Sequence, residues 1–202
     1  MGAGAARLKR QWRWRLKRVP DQVGQFRFLA KLPRRSVGAE VGVWRGGFAA
    51  RNLRRARPSR LYLIDPWRQL EDEAHAHAIW GKAGAQDEMD RMHADVVKRF
   101  SKQIERGQVV VLRELAGEAA RHLDDEMLDW AYIDGDHTYE AVQADLEAYW
   151  PLVKPGGILA GDDYNFLGWW KDGVTKAVDE FAEINGLKPT ITGNQFLFEK
   201  PA

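Results

Sequence analysis

No cysteine occurs in the 202 residues. Disulfide staples, thiolate nucleophiles and cysteine-bound zinc are thereby excluded. Long apolar runs are missing too: none approaches the roughly 20 residues that a membrane-spanning helix needs. The basic N-terminus has no apolar stretch behind it and does not read as a secretory signal, so a cytoplasmic location is expected. Acids are absent from residues 1–18, which carry Arg7, Lys9, Arg10, Arg13, Arg15, Lys17 and Arg18. Against a net charge of +2, the remainder therefore carries 2 − 7 = −5. A mildly acidic body with a basic tail gives no reason to expect a nucleic-acid partner for the domain itself. There is no internal repeat and no low-complexity segment.

What is present suits one domain with a small appendage. Apolar residues make up 45% of the chain, enough for a sizeable core at this length. Residues 1–35 read as a basic, amphipathic helical extension and 36–202 as the main domain. In the extension, Leu8, Trp12, Leu16 and Val19 recur at helical spacing over residues 7–19. Such a helix can cover its own domain, meet a second subunit or touch an anionic membrane surface; a homo-oligomer is expected. Residues 21–35 read as a second helix ending near Pro33.

Short apolar runs then alternate with helical patterns. Strands are expected at 37–43, 61–64, 109–112, 128–133 and 158–160, and a hairpin at 190–192 and 196–198 around Gly193-Asn194-Gln195. Helices are expected at 46–56, 118–123, 139–150 and 174–184, and through most of 68–106; Pro155-Gly156-Gly157 reads as a turn. Continuous apolar strands fit a parallel sheet covered on both faces. The order implies a doubly wound, Rossmann-like α/β fold, mostly parallel with a C-terminal β-hairpin. Ligands in such folds sit beyond the carboxyl ends of the strands. Those ends here are Glu40–Gly46, Asp65, Glu114–Gly117, Asp134–His137 and Asp162-Asp163, and each holds a carboxylate.

Gly38-Ala39-Glu40-Val41-Gly42-Val43-Trp44-Arg45-Gly46-Gly47 is a strand–glycine–helix element. It is a poor dinucleotide fingerprint, because Trp44 stands where a pyrophosphate needs close backbone approach. Asp65 follows about 20 residues later, where a carboxylate can accept two hydrogen bonds from a ribose diol; a plain strand-end cap is the alternative. The element resembles motif I of the class I S-adenosylmethionine-dependent methyltransferases. The resemblance implies that Asp65 holds the ribose of S-adenosylmethionine, that Glu40 orients the methionine amino group, and that the backbone near Leu115, Ala116 and Gly117 flanks the adenine. Gly42, Val43, Gly46 and Asp134 complete the implied cofactor set.

The run Ile133-Asp134-Gly135-Asp136-His137-Thr138-Tyr139, followed by Asp145, Pro155-Gly156-Gly157 and Gly161-Asp162-Asp163-Tyr164, is similar to a signature of metal-dependent macrolide sugar O-methyltransferases. It is more distantly similar to the catechol O-methyltransferases. Asp134 closes the fourth strand and Asp162-Asp163 the fifth, and neighbouring strands lie about 4.8 Å apart, so the three carboxylates converge. Clustered carboxylates repel unless a cation joins them, and hard oxygen ligands favour Mg²⁺, Mn²⁺ or Ca²⁺. Asp134, Asp162 and Asp163 are thus the expected ligands of Mg²⁺ or another divalent ion, although Asp162 as a helix N-cap and Asp134 as a turn former are the plainer alternatives. The resemblance makes His137 the general base; the alternative is a histidine that only orients Asp134 or its loop. His75, His77, His93 and His122 read as surface residues. Residues 68–106 and the Phe166–Trp170 loop are expected to wall an acceptor pocket. The leading expectation is transfer of a methyl group to the hydroxyl of a small molecule or sugar. The alternatives are a metal-independent methyltransferase acting on nitrogen or carbon, and a non-catalytic nucleoside-binding protein whose basic tail meets RNA or membrane.

Overall fold

The computed structural model describes residues 25, 27–70, 75, 77, 78, 80–82 and 84–202. The amphipathic pattern of residues 7–19 lies outside the described residues. Seven strands, β1 (Val37–Val41), β2 (Arg60–Ile64), β3 (Val109–Leu112), β4 (Leu128–Ile133), β5 (Val153–Gly161), β6 (Thr190–Thr192) and β7 (Gln195–Glu199), form one sheet. Its order is β3-β2-β1-β4-β5-β7-β6. The first five strands are parallel, and β7 and β6 are antiparallel additions at one edge. The strand order reverses between β1 and β4, so the carboxyl ends of these two strands open the crevice where such folds bind ligands.

Both faces of the sheet are buried, as the apolar runs require. Tyr62, Ile64, Ala131 and Ile133 face one core, covered by α4 (Ala116–Ala120), α5 (Tyr139–Tyr149) and α6 (Gly173–Ile184). Leu61, Leu63, Trp130 and Tyr132 face the other, covered by α1 (Gly47–Arg55) and α2 (Gln86–Arg99), with the short α3 (Ser101–Glu105) after it. Phe28, Leu29 and Leu32, from the segment assigned to the extension, are buried in this second core, and the described part of their helix ends at residue 31. The fully buried Trp130 ring shows how sequence and packing agree. Its neighbour in register is Gly38, where a methyl group would lie 2.1 Å from the ring. The indole N–H donates to Ser36 Oγ at 3.0 Å, so no buried donor is left unpaired.

Three local expectations change. Among the described residues of 68–85 none is α-helical; they are irregular, with turns and bends from residue 77 on, and α2 begins only at Gln86, after Gly84 at φ 76°. Pro155-Gly156-Gly157 lies within β5 rather than in a turn. Gly156, at φ 74°, lets the strand bend, while its N–H donates to Lys200 O and Lys200 N–H to Gly157 O, both at 2.9 Å. The first strand stops at Val41 because Gly42 turns to φ 87°.

Candidate active site

A cavity of about 780 Å³ opens at the carboxyl rim, bounded by the ends of β1, β2, β3 and β4. Of the residues expected to bind a cofactor, Glu40, Gly42, Val43, Asp65, Leu115, Ala116 and Asp134 line it. Gly46 does not. It precedes α1 in the left-handed region at φ 68°, and a methyl group there would lie 2.8 Å from Phe100. Its role is to start the helix against that ring. Gly42 has a tertiary reason as well: a methyl group would lie 1.9 Å from the carbonyl oxygen of Asp134. The glycine therefore lets the ends of β1 and β4 approach, and Asp134 N–H donates to Val41 O at 2.8 Å.

Glu40 is 1% exposed, facing α1, where Asn52 Nδ2 donates to its Oε2 at 3.1 Å. Its Oε1 is buried without a partner. Burial, reinforced by the charge of Asp134, pushes its pKa up to about 8. An arriving ammonium group would complete this carboxylate. Asp65 is more fully engaged. Its Oδ2 accepts from Val43 N–H at 3.0 Å and Trp44 N–H at 2.8 Å, and its Oδ1 from Trp67 N–H at 2.8 Å. It fastens the glycine turn, with Trp44 held at φ 53°. A carboxylate offers about four acceptor sites, so one position remains for a ligand where the sequence suggested two.

Beyond Glu40 the rim carries three groups whose ligating atoms lie within 4.8 Å of one another: Asp134, His137 and Asp163. This differs from the expected cluster of Asp134, Asp162 and Asp163. Asp162 also lines the cavity, but both its oxygens are engaged: Gln25 Nε2 donates to its Oδ2 at 3.0 Å, and Gln195 Nε2 and, at 2.8 Å, Asp163 N–H donate to its Oδ1. Tyr132 donates to Gln195 and Arg51 to Gln25, so Asp162 anchors a network linking β4, β7, α1 and the segment before β1. Asp163, at φ 61°, carries the strained backbone that turns its side chain to the rim.

His137 Nε2 lies 2.8 Å from Asp163 Oδ2 and 3.6 Å from Asp134 Oδ1, and the ring stacks on Trp170 at 4.4 Å. The short contact is one of charge: both ring nitrogens are buried, with no N–H aligned on a protein acceptor. Burial alone would lower the pKa, but the two carboxylates outweigh it and push it up to about 10. In this state the imidazole holds its proton and is not a base at neutral pH.

The sequence put His75 at the surface and gave Asp145, though it belongs to the quoted signature, no role of its own. His75, expected at the surface, is 8% exposed, because its Nε2 meets Asp136 Oδ2 at 2.5 Å and its ring meets Trp169. This contact ties the segment before α2 to the loop after β4. Asp145, on α5, is buried and lines the cavity, and burial next to Asp136 pushes its pKa up to about 7. A helical pattern showing Val142, Leu146 and Tyr149 buried places position 145 on the same face, which was the available signal.

A family model described as a methyltransferase domain matches residues 39–164, more than half of the chain. The chain belongs to the class I S-adenosylmethionine-dependent methyltransferases. The match spans the glycine turn, Asp65, His137 and Asp163. No curated protein matches the chain by sequence. Among solved structures, the O-methyltransferase NovP is 20% identical over 83% of this chain and 72% of its own, with a TM-score of 0.59. A candidate rRNA methylase from Clostridium thermocellum is 12% identical over 91% and 96%, at 0.63. A candidate caffeoyl-CoA O-methyltransferase from Staphylococcus aureus is 14% identical over 90% and 82%, at 0.61. At these identities the likeness is one of fold. For this methyltransferase the cofactor fits the cavity on an observation of its own: the buried, unpartnered Oε1 of Glu40 awaits a donor such as the methionine ammonium. Among the described residues no helix is long and apolar enough to cross a membrane.

Proposed function

We propose that the protein is an O-methyltransferase that acts on the hydroxyl of a small molecule or sugar, assisted by a divalent cation. The observation that carries this is the convergence of Asp134, His137 and Asp163 beside the cofactor cavity. NovP, whose name states O-methyl transfer, and the candidate caffeoyl-CoA enzyme add support by fold. Methyl transfer forms a carbon–oxygen bond and breaks the methyl–sulfur bond, whose electron pair stays on sulfur. The protein must align the oxygen with the methyl group and take away the hydroxyl proton. Asp134 and Asp163 present acceptor oxygens that orient the O–H. His137 can receive its proton only once its own has been displaced.

A divalent cation held by Asp134, His137 and Asp163 would supply positive charge to lower the acceptor's pKa. The donors are mixed. Carboxylates suit Mg²⁺ and Mn²⁺, whereas an imidazole nitrogen suits Fe²⁺ or Zn²⁺, so Mg²⁺ is a weaker match than the sequence suggested. The second reading is metal-independent transfer, in which the imidazolium of His137 itself holds the two carboxylates together. The 2.8 Å contact with Asp163 favours it. Trp44, Trp80, Trp169 and Trp170 form the aromatic wall on which a sugar or phenol ring would lie. The basic segment 7–19, with its apolar residues at helical spacing, serves as a membrane or subunit contact, in a cytoplasmic homo-oligomer.

Mn²⁺ binding followed by paramagnetic resonance tests the metal without knowledge of the acceptor. Asp134→Asn and Asp163→Asn should each weaken binding at least about tenfold, while Asp162→Asn retains it. Methyl transfer to a panel of sugars and phenols should then stop in EDTA. Full activity in excess EDTA would leave the imidazolium reading.

A further inference from the structure

Toward the amino ends of β1 and β2, a second cavity of about 530 Å³ is lined by Leu29, Arg34, Arg51, Arg54, Arg55 and Arg57. Five of these six side chains are guanidinium groups, and none is an acid. The topology gathers them. Helix α1 starts at the carboxyl rim and runs back along the sheet, which puts Arg54 and Arg55 in its last turn. Arg57 N–H donates to Asn52 O at 3.3 Å and Arg35 N–H to Arg57 O at 3.2 Å, so the turn after α1 is joined to the stretch that carries Arg34. Arg51, midway along the helix, lines this cavity and the cofactor cavity alike.

Cations in the last turn of a helix complement its dipole, which accounts for Arg54 and Arg55 but not for the rest. Arg57 stands at φ 47°, in the left-handed position after a helix that glycine commonly fills. An arginine there carries backbone strain that glycine would avoid. Arg34, Arg54 and Arg57 are exposed, and no carboxylate pairs with them among the described residues. Arg51 Nε is buried with no acceptor. From residue 27 to 60, ten lysines and arginines stand against one acid, Glu40, which lines the cofactor cavity. Like charges held together repel, and an anion between them removes the repulsion.

We propose that this arginine-lined bay binds a soluble small molecule bearing two linked phosphates. The guanidinium fork matches phosphate oxygens two at a time. A single phosphate group carries a charge of roughly −1.5 to −2, which balances two arginines, whereas Arg34, Arg51, Arg54 and Arg57 present four. The concave shape suits a compact ligand rather than a flat lipid surface or an extended nucleic-acid strand. Leu29 offers the one apolar wall for the organic part of the molecule.

Calorimetry on the full chain with pyrophosphate, at physiological ionic strength, tests this. The wild type should bind pyrophosphate at least about tenfold more tightly than orthophosphate. Arg34→Gln combined with Arg57→Gln should weaken pyrophosphate about tenfold or more, while S-adenosylhomocysteine affinity stays within about twofold. Arg54→Gln alone, an exposed change that the fold tolerates, should shift binding in the same direction. Replacing Arg7, Lys9 and Arg10 by Gln should leave pyrophosphate affinity within about twofold. No binding by the wild type, equal binding by the Arg34 and Arg57 variant, or a loss confined to the tail variant would each overturn the proposal. Sedimentation with phosphatidylglycerol vesicles and retention of a single-stranded RNA oligonucleotide separate the sources of phosphate. If either is held through Arg34 and Arg57 and pyrophosphate does not displace it, the bay belongs to a macromolecular surface and the proposal falls.

Discussion

At the scale of single residues, Glu40 couples cofactor binding to protons. With its pKa pushed up to about 8, it is largely protonated at pH 7 in the free protein. A methionine ammonium at Oε1 favours the charged form and lowers that pKa. Binding of S-adenosylhomocysteine at pH 7 should therefore release up to about one proton, and affinity should rise toward pH 8. Calorimetry in buffers of different ionisation enthalpy reads this directly. Glu40→Gln should abolish the release and weaken binding about tenfold or more. An unchanged proton count in the variant would place the ammonium elsewhere.

Gly42 is decided by its neighbour on β4 as much as by a ligand. Its φ of 87° and the 1.9 Å approach that an added methyl group would make to Asp134 O both oppose a side chain. Gly42→Ala should destabilise the protein by about 2–4 kcal/mol, from backbone strain and overpacking together. Urea unfolding that shows a loss under about 0.5 kcal/mol, the range of an ordinary surface change, would contradict a steric need for glycine where the ends of β1 and β4 approach.

Among elements, the described residues of the segment before α2 reach the rim through side-chain contacts. The His75–Asp136 pair fixes it, and an aromatic ladder continues from Trp44 to Trp80 at 6.0 Å and from Trp80 to Trp169 at 6.2 Å. Contacts made through side chains of this kind suit a cover that opens locally. His75→Ala should speed amide exchange across residues 77–85 while leaving S-adenosylhomocysteine affinity within about twofold. Bound acceptor should slow exchange in 68–85 and 165–172 of the wild type. Identical protection with and without acceptor would argue that the segment is fixed wall.

For the whole molecule, three perturbed groups act on stability in one direction. Asp145 ordinarily titrates at 3.8 and in the fold near 7; Glu40 moves from 4.5 to about 8. Within each window the folded protein keeps a proton that the unfolded chain has lost, so stability falls as pH rises. His137 moves from 6.5 to about 10, so its contribution is full below 6.5 and disappears toward 10. The melting temperature of the ligand-free protein should decline from pH 5.5 to 9, and Asp145→Asn should flatten the acidic part of that slope. A melting temperature that rises over this range would refute the shared sign.

The sequence by itself determined the alternation of strands and helices, the parallel sheet with its closing hairpin, and the rim on which chemistry collects. Those follow from the period of apolar residues and from glycines and prolines, which act locally. It also placed Glu40, Asp65, Asp134, His137 and Asp163 at strand ends. Only the tertiary structure decided what each one meets. Beyond the end of β5 the backbone turns at Asp163, φ 61°, so Asp162 and Asp163, adjacent and chemically identical, part company. One is held by Gln25 and Gln195, and the other turns to His137. The partners come from segments up to 137 positions distant in the chain, and no spacing rule encodes them. His75 and Asp145 were obscured for the same reason. A polar residue in a helical or turn pattern reads as solvated until packing across the sheet covers it.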